Sequence, residues 1–492
     1  MPSTATTPTP ATQPPPAHGH HAAHAAHAAQ AALSAPTPAP SRSRRPRSPG
    51  LAFALLGTVQ ATLIFTLASL AVPLPRIGAE LRLDRADLIL LSAAYGLTFA
   101  GLLLFGGRLT DRFGGRRTLT AGLLVFGVAS ALAPLAPGYG TLLAARFAQG
   151  LGAALVAPAA MGVLRALYPA PAAYSRAMAT WGGLAVLGAT AGNLLSGVIS
   201  AAASWRWTFA VPLAVTAAAL LLGPRLLPGT APEQSPTGAP DGPTRGLDLP
   251  GALLATTGIT LASYGLVLTD ARPWGSAAVL VPLLGGLALL AGFALVERRA
   301  ADPLLPPAFL RDRRRGLGLA AVALTASGTA GVFVLLSLGL QEGRDWSALR
   351  TSGAFAPFAV ALLLAGRTAG PLIRRYGAGP ATAAGLGTGA VGLGLLAATG
   401  LDPAVPYAYG LLPGLLLLPA GAAVSFAGAA VLATEGVPAR QGGLAGGVLN
   451  TAMELGPTVV FAAVLTLGTD AASLAATALG FAALAAAASR TR

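Results

Sequence analysis

The sequence predicts an all-α membrane protein with 14 transmembrane helices, built as two pseudo-symmetric six-helix bundles with two helices inserted between them. Three observations lead there: a composition poor in charge, a succession of apolar runs of bilayer length, and an internal repeat. Of 492 residues, 54% are apolar and 10% charged, against about 25% charged in an ordinary soluble domain. That excludes a soluble enzyme. No Cys is present, so disulfide frameworks, thiolate metal sites and cysteine nucleophiles are excluded as well. The formal charge of +15 comes from 32 Arg, with no Lys, against 17 acids. These arginines punctuate apolar runs and build no single solvated basic face, which argues for membrane orientation and against a nucleic-acid partner.

Residues 1–50 consist mainly of Ala, Pro, Thr, Ser and His and end in SRSRRPRSPG. Such a segment cannot bury enough apolar area to offset chain entropy, so a disordered tail is expected. A cleavable signal peptide is not expected, because the apolar run that follows is too long. All five histidines (His18, His20, His21, His24, His27) lie in this tail. They read as a low-complexity tract without fixed ligand geometry, and no metal or other cofactor is expected. No histidine is then available inside the membrane for proton transfer.

A hydrocarbon core about 30 Å thick needs roughly 20 apolar residues at 1.5 Å each. Fourteen such runs begin near Leu51, Leu88, Thr118, Gly140, Ala177, Arg206, Leu249, Ser276, Gly316, Thr351, Gly379, Tyr407, Gly443 and Asp470. Their Ala/Leu/Gly/Val interiors and small-xxx-small spacings, as at Gly188/Gly192 and Gly442/Gly446, suit close helix packing in lipid. A first bundle is expected over 51–226 and a flexible linker over 227–248. The inserted helices seven and eight follow at 249–296, then a basic loop at 297–315 and a second bundle at 316–488. With this count, 24 arginines fall on the side of the N-terminus and seven on the other, leaving Arg146 within a span. Positive charge is retained in cytoplasmic loops, so both termini are expected to be cytoplasmic, in a multi-pass protein of the plasma membrane. Trp205, Trp207, Trp274 and Trp346 then fall at the outer interface, where amphipathic rings are favoured.

After the second run stands Gly107-Arg-Leu-Thr-Asp111-Arg112-Phe-Gly114, and after the tenth Gly370-Pro-Leu-Ile-Arg374-Arg375-Tyr-Gly377, aligned without gaps. Repeated halves with a tight basic turn after each second helix are what bundle-repeat transporters look like. The copies lie eight helices apart, so two helices must be inserted between bundles of six. GGRLTDRFGGRR resembles the signature loop of the major facilitator superfamily, and ARFAQGLGAA at Ala145–Ala154 resembles the arginine motif of its fourth helix. WRWTF at Trp205–Phe209 is similar to a sequence before the sixth helix in the fourteen-helix drug/proton antiporter branch. That resemblance covers residues 51–488. It implies secondary transport by alternating access: export of hydrophobic or cationic small molecules, as in drug or antibiotic efflux, in exchange for protons. It also implies no enzymatic activity, and a monomer is expected. Two positions depart from the branch pattern. Thr66 stands where the first helix usually has an acid, and in the helix-five packing motif (Gly188, Gly192, Asn193, Gly197) Asn193 replaces a proline and Ser196 a glycine. These departures motivate two alternatives: a uniporter or differently coupled transporter, including uptake or lipid movement, and a transport-fold sensor or scaffold.

Several residues are candidates for mechanism. Glu454 lies 11 residues inside the thirteenth run, roughly 16 Å deep, where an ionised carboxylate costs about 3 kcal/mol or more and usually faces a cavity. It is expected to carry the coupling proton or meet a cationic substrate, with Asn450 one turn earlier; a fixed interhelical hydrogen bond is the plainer alternative. Arg146 needs buried acceptors or a wet cavity, unless it snorkels to the interface, and Gln149 shares its face. Gly107, Asp111, Arg112, Gly114, Arg116 and Arg117 form the signature turn. The resemblance implies that Asp111 contacts the other bundle, and the start of the thirteenth helix near Gly443 would suit its charge. Such a contact forms only when the cytoplasmic halves close, which would make Asp111 a conformational latch. Gly387-Thr-Gly389-Ala-Val-Gly392 matches a nucleotide-binding pattern in letters only, since no strand precedes it.

Overall fold

The computed structural model describes residues 49–70, 72–83, 85–227, 248–270, 272–300, 303–346, 348–438, 441–465 and 470–490. The tail up to residue 48, with its histidines, and the linker over residues 228–247 lie outside the described residues. Among the described residues all regular structure is helical. The first half holds α1 (Pro49–Ala68), α2 (Arg85–Phe113), α3 (Gly115–Leu132), α4 (Tyr139–Leu167), α5 (Pro171–Ala202) and α6 (Ala210–Leu226). Next come α7 (Leu249–Val267) and α8 (Ala277–Glu297). The second half holds α9 (Arg313–Glu342), α10 (Ala356–Tyr376), α11 (Ala378–Leu395), α12 (Leu412–Thr434), α13 (Gly442–Leu465) and α14 (Asp470–Ser489). Thirteen helices of the described residues are long and apolar enough to cross a membrane. The fourteenth long helix, α13, has 24 residues and carries Asn450 and Glu454.

The repeat is visible in the packing. In the first half α1 packs on α5 and α6, α2 on α4, and α3 on α4 and α6. In the second half α9 packs on α13 and α14, α10 on α12, and α11 on α12 and α14, the same pattern eight helices later. The halves meet through α2 with α13 and through α5 with α10, which are also repeat counterparts. The inserted α7 and α8 pack on each other, and α7 adds contacts to α2 and α13. Gly114 and Gly377, equivalent in the repeat, link their helices at φ 87° and 88°, a backbone region that favours glycine. The arginine-rich signature turn is therefore built twice.

Some elements differ from the sequence expectation. Helix α5 starts at Pro171, six residues before the expected Ala177, because proline suits a first helical turn, where its missing N–H has no partner to lose. A further helix, Leu74–Leu81, lies between α1 and α2, too short at 8 residues for a scan of bilayer-length runs. Trp205, placed at the interface by its chemistry, is only 3% exposed. Its indole N–H donates to Glu80 Oε2 of that short helix at 2.6 Å, and Arg206 pairs with the other carboxylate oxygen. These donors, Trp205 foremost, hold the Glu80 carboxyl below the usual carboxylate range. Gly442 and Gly446 are not a packing pair. Gly442 has open space around it, Gly446 packs on Met161 and Pro158 of α4, and the small residues against α2 are Gly443 and Gly447. In the nucleotide-like motif Gly389 packs against Phe481 and Gly392 against Leu418, so these glycines serve helix contact.

Candidate functional site

Two polar constellations sit within this packing. The first is buried among α1, α2, α3 and α4. Arg146 and Gln149 are adjacent on one face of α4, and both are fully buried. Arg146 Nη1 donates to the Thr66 carbonyl of α1 at 3.1 Å and to Gln149 Oε1 at 3.2 Å, and Gln149 Nε2 donates to Ser130 of α3 at 2.9 Å. The guanidinium lies 4.9 Å from the centre of the Tyr95 ring of α2, a cation–π geometry. The Tyr95 hydroxyl donates to the Leu63 carbonyl at 2.9 Å. Arg146 is therefore held by four helices and does not snorkel. Its Nε and Nη2 are buried without an acceptor among the described residues. A guanidinium has five donor hydrogens in a fixed fork, so this one can still receive an anionic or carbonyl group.

Glu454 lies across from this cluster on α13. Its carboxylate is enclosed by protein, although the residue as a whole is of intermediate exposure, and it is within electrostatic reach of the Tyr95 hydroxyl. No cation pairs with it among the described residues. Asn450, 1% exposed, donates to the Gly446 carbonyl of its own helix at 2.9 Å. The Thr66 hydroxyl likewise returns to the Thr62 carbonyl at 2.8 Å, so this residue meets Arg146 through its backbone. Gly188 and Gly192 let α5 close on Ala61 and Phe65 of α1, while Gly197 has only an ordinary contact with Val72. The side chain of Asn193 lies outside the described residues.

The second constellation is at the arginine-rich ends of the helices. Asp111 Oδ1 accepts from the Gly443 N–H at 2.5 Å and Oδ2 from the Leu444 N–H at 2.8 Å. Both are free amides of the first turn of α13, where helix dipole and unsatisfied donors favour an anion. The approach needs two glycines: a methyl on Gly107 would lie 2.6 Å from the Gly443 carbonyl oxygen. Arg112 stacks on Phe113 at 5.6 Å, Arg116 reaches the Pro224 carbonyl at 3.4 Å, and Arg117 is exposed. A second tie between halves was not legible in the sequence: Arg165 Nη2 at the end of α4 donates to the Thr434 carbonyl at the end of α12, at 3.0 Å. Counted among orienting charges, Arg165 gave no signal of its own. Tyr95 and Ser130 also went unnoticed, although a tyrosine within an apolar run needs a partner for its hydroxyl.

The family model for the Major Facilitator Superfamily matches residues 54–460. A cephamycin export protein from Amycolatopsis lactamdurans is 36% identical over 418 residues, covering 85% of this chain and 84% of that protein. A puromycin resistance protein from Streptomyces alboniger is 35% identical over 427 residues, covering 86% of this chain and 82% of that one. Among solved structures, a human organic anion transporter shares the fold with a TM-score of 0.61 at 19% identity, covering 91% of this chain and 99% of that one. With fourteen long helices, a packing pattern repeated between halves and a signature turn built at both equivalent positions, the chain belongs to the Major Facilitator Superfamily.

Proposed function

We propose that this protein exports hydrophobic or cationic small molecules from the cytoplasm in exchange for protons, alternating access between its two halves. The observation that carries the reading is Glu454, a carboxylate enclosed within a span with no cation paired to it among the described residues. Such an ionisable group marks an ion or substrate path. In this account Glu454 binds a proton from outside, releases it inside, and alternates proton with substrate. Arg146, anchored by Gln149 and facing Tyr95, offers unused donors to a polar group on the substrate or to water between turnovers. Relatives named for cephamycin export and puromycin resistance support the outward direction.

The distribution of arginines supports a cytoplasmic location for the face carrying Asp111, and a monomer in the plasma membrane belongs to the same proposal. On that reading Asp111 with Gly443 and Leu444, and Arg165 with Thr434, are latches that hold the cytoplasmic halves together. They break when the cavity opens inward. Thr66 favours a second reading, movement without proton coupling, because α1 lacks the acid its branch usually carries there. Flux of a labelled cationic dye from proteoliposomes, with and without an imposed pH gradient, separates the two. Gradient-driven accumulation supports antiport, and gradient-independent equilibration supports the second reading.

A further inference from the structure

Glu297, the last residue of α8, is 3% exposed although it stands at a helix end beside two arginines. Its Oε1 accepts from the Leu304 N–H at 3.1 Å and its Oε2 from the Leu305 N–H at 2.9 Å, so it holds the turn after α8 in place. Asp248 caps α7, accepting from the Gly251 N–H at 2.8 Å through Oδ1. Its other oxygen, Oδ2, is buried and receives no donor among the described residues. That oxygen and Glu297 Oε1 converge on the same point beside Gly251, which brings the two carboxyl groups together. A methyl on Gly251 would touch both, with Glu297 Oε1 at 2.6 Å.

Two buried carboxylates in contact repel, whereas one added proton turns the contact into a short O–H···O⁻ bond. Among the described residues no cation is paired with either carboxyl. Arg298 and Arg299 are exposed at the end of α8, and Arg311 is exposed on the short helix 307–311. Arg315 is occupied by the Phe309 ring and carbonyl, and α13, which packs on α7, brings no charge to this end. Arg108 of α2 donates to the Pro303 carbonyl of the same turn and is within electrostatic reach of Asp111. Hydrogen bonds therefore run from the α7–α8 base through the 303–305 turn to Arg108, whose charge in turn acts on Asp111 at its contact with α13.

We propose that Asp248 and Glu297 share a single proton and form a proton-binding switch that couples the inserted helices α7 and α8 to the contact between α2 and α13. With the proton bound, the bridge O–H···O⁻ seats the turn and Arg108 stays on Pro303. When the proton leaves to solvent, two negative charges face each other and the turn unseats. Arg108 then turns toward Asp111 and draws its carboxylate from the α13 amides. The switch senses the compartment on the arginine-rich face and gives the inserted pair a role beyond filling lipid. Its effect on opening rests on the latch reading of Asp111, while the shared proton does not.

The absence of Cys makes the test direct. Cysteines introduced at the exposed Thr120 of α3 and Tyr376 of α10 take spin labels for distance measurement in lipid nanodiscs. Raising the pH from about 6 to about 9 should increase the open-to-closed ratio at this face by about tenfold in the parent. In Glu297→Gln and in Asp248→Asn an amide donates to the remaining carboxylate without a titrating proton, so the ratio should hold within about twofold. A parent that does not respond to pH, or a response kept in both variants, overturns the coupling. Infrared difference spectra over the same range should show a protonated-carboxyl band that Glu297→Gln lacks, and retention of that band overturns the shared proton. Asp111→Asn should open this face at both pH values; failure there refutes the latch, with the shared proton still judged by the infrared band.

Discussion

Substituting Gly443 by Ala should open the arginine-rich face, whereas the same change at Gly442 should not. A methyl on Gly443 would lie 2.7 Å from Asp111 Oδ1 and 2.7 Å from Thr110 Cβ, while nothing lies within 4 Å of one on Gly442. Ordinary contact begins near 3.4 Å and the backbone carbonyl of Gly107 lies nearer still, so α13 must retreat by at least roughly 0.7 Å. That stretches both Asp111 bonds, now 2.5 and 2.8 Å, beyond the short range of charge-assisted hydrogen bonds. Bonds to charged groups contribute about 1.5–3 kcal/mol each, so losing the equivalent of one shifts the closed-to-open equilibrium about 10- to 100-fold. Replacing Gly by Ala also raises helix propensity by about 1 kcal/mol, but does so at both positions and cancels in the comparison. The assay is accessibility of a single introduced cysteine in the cytoplasmic half of the cavity to a membrane-impermeant thiol reagent. Equal labelling rates in Gly443→Ala and Gly442→Ala would refute the contribution of this contact to closure.

Gln149→Ala should lower the unfolding temperature, because it takes one acceptor from the buried Arg146, which keeps only the Thr66 carbonyl and the Tyr95 ring, and removes the donor that Ser130 accepts from, at a cost of about 1–3 kcal/mol. Thermal denaturation in detergent checks this, and an unchanged midpoint contradicts the network. On the opposite face, Glu80 is held below the usual carboxylate range, so its clamp on Trp205 and Arg206 is complete above the unfolded carboxylate pKa and lost as pH falls through the lower folded value. Tryptophan emission should be flat from about pH 5 to 8 and change only below about pH 4, with the acid step absent in Glu80→Gln. A step near neutrality, or one retained in the variant, contradicts the assignment.

The fold was legible because its signals are long-range in composition and simple in physics: bilayer-length apolar runs, arginines at their ends, and a repeated turn. The contact of Asp111 with the other half came from the family resemblance, and the preference of an acid for a helix N-terminus pointed to the start of α13. What escaped the sequence is three-dimensional registration. Trp205 looked like an interface residue until a short helix brought Glu80 over it. Nothing in the letters around Glu297, at the head of a basic segment, shows that the turn at Leu304 folds back on it. Gly442 and Gly443 are indistinguishable as letters, and only the rotation of α13 decides which one faces α2. Arg165 was one orienting charge among many until the end of α12 lay beside it.

The central claim rests on Glu454, and proton-driven transport tests it most directly. In proteoliposomes preloaded with a fluorescent cationic substrate, an imposed pH gradient should accelerate flux by the parent protein. Glu454→Gln should lose that acceleration while still exchanging substrate down its own gradient. Full gradient-driven flux in Glu454→Gln would contradict the account.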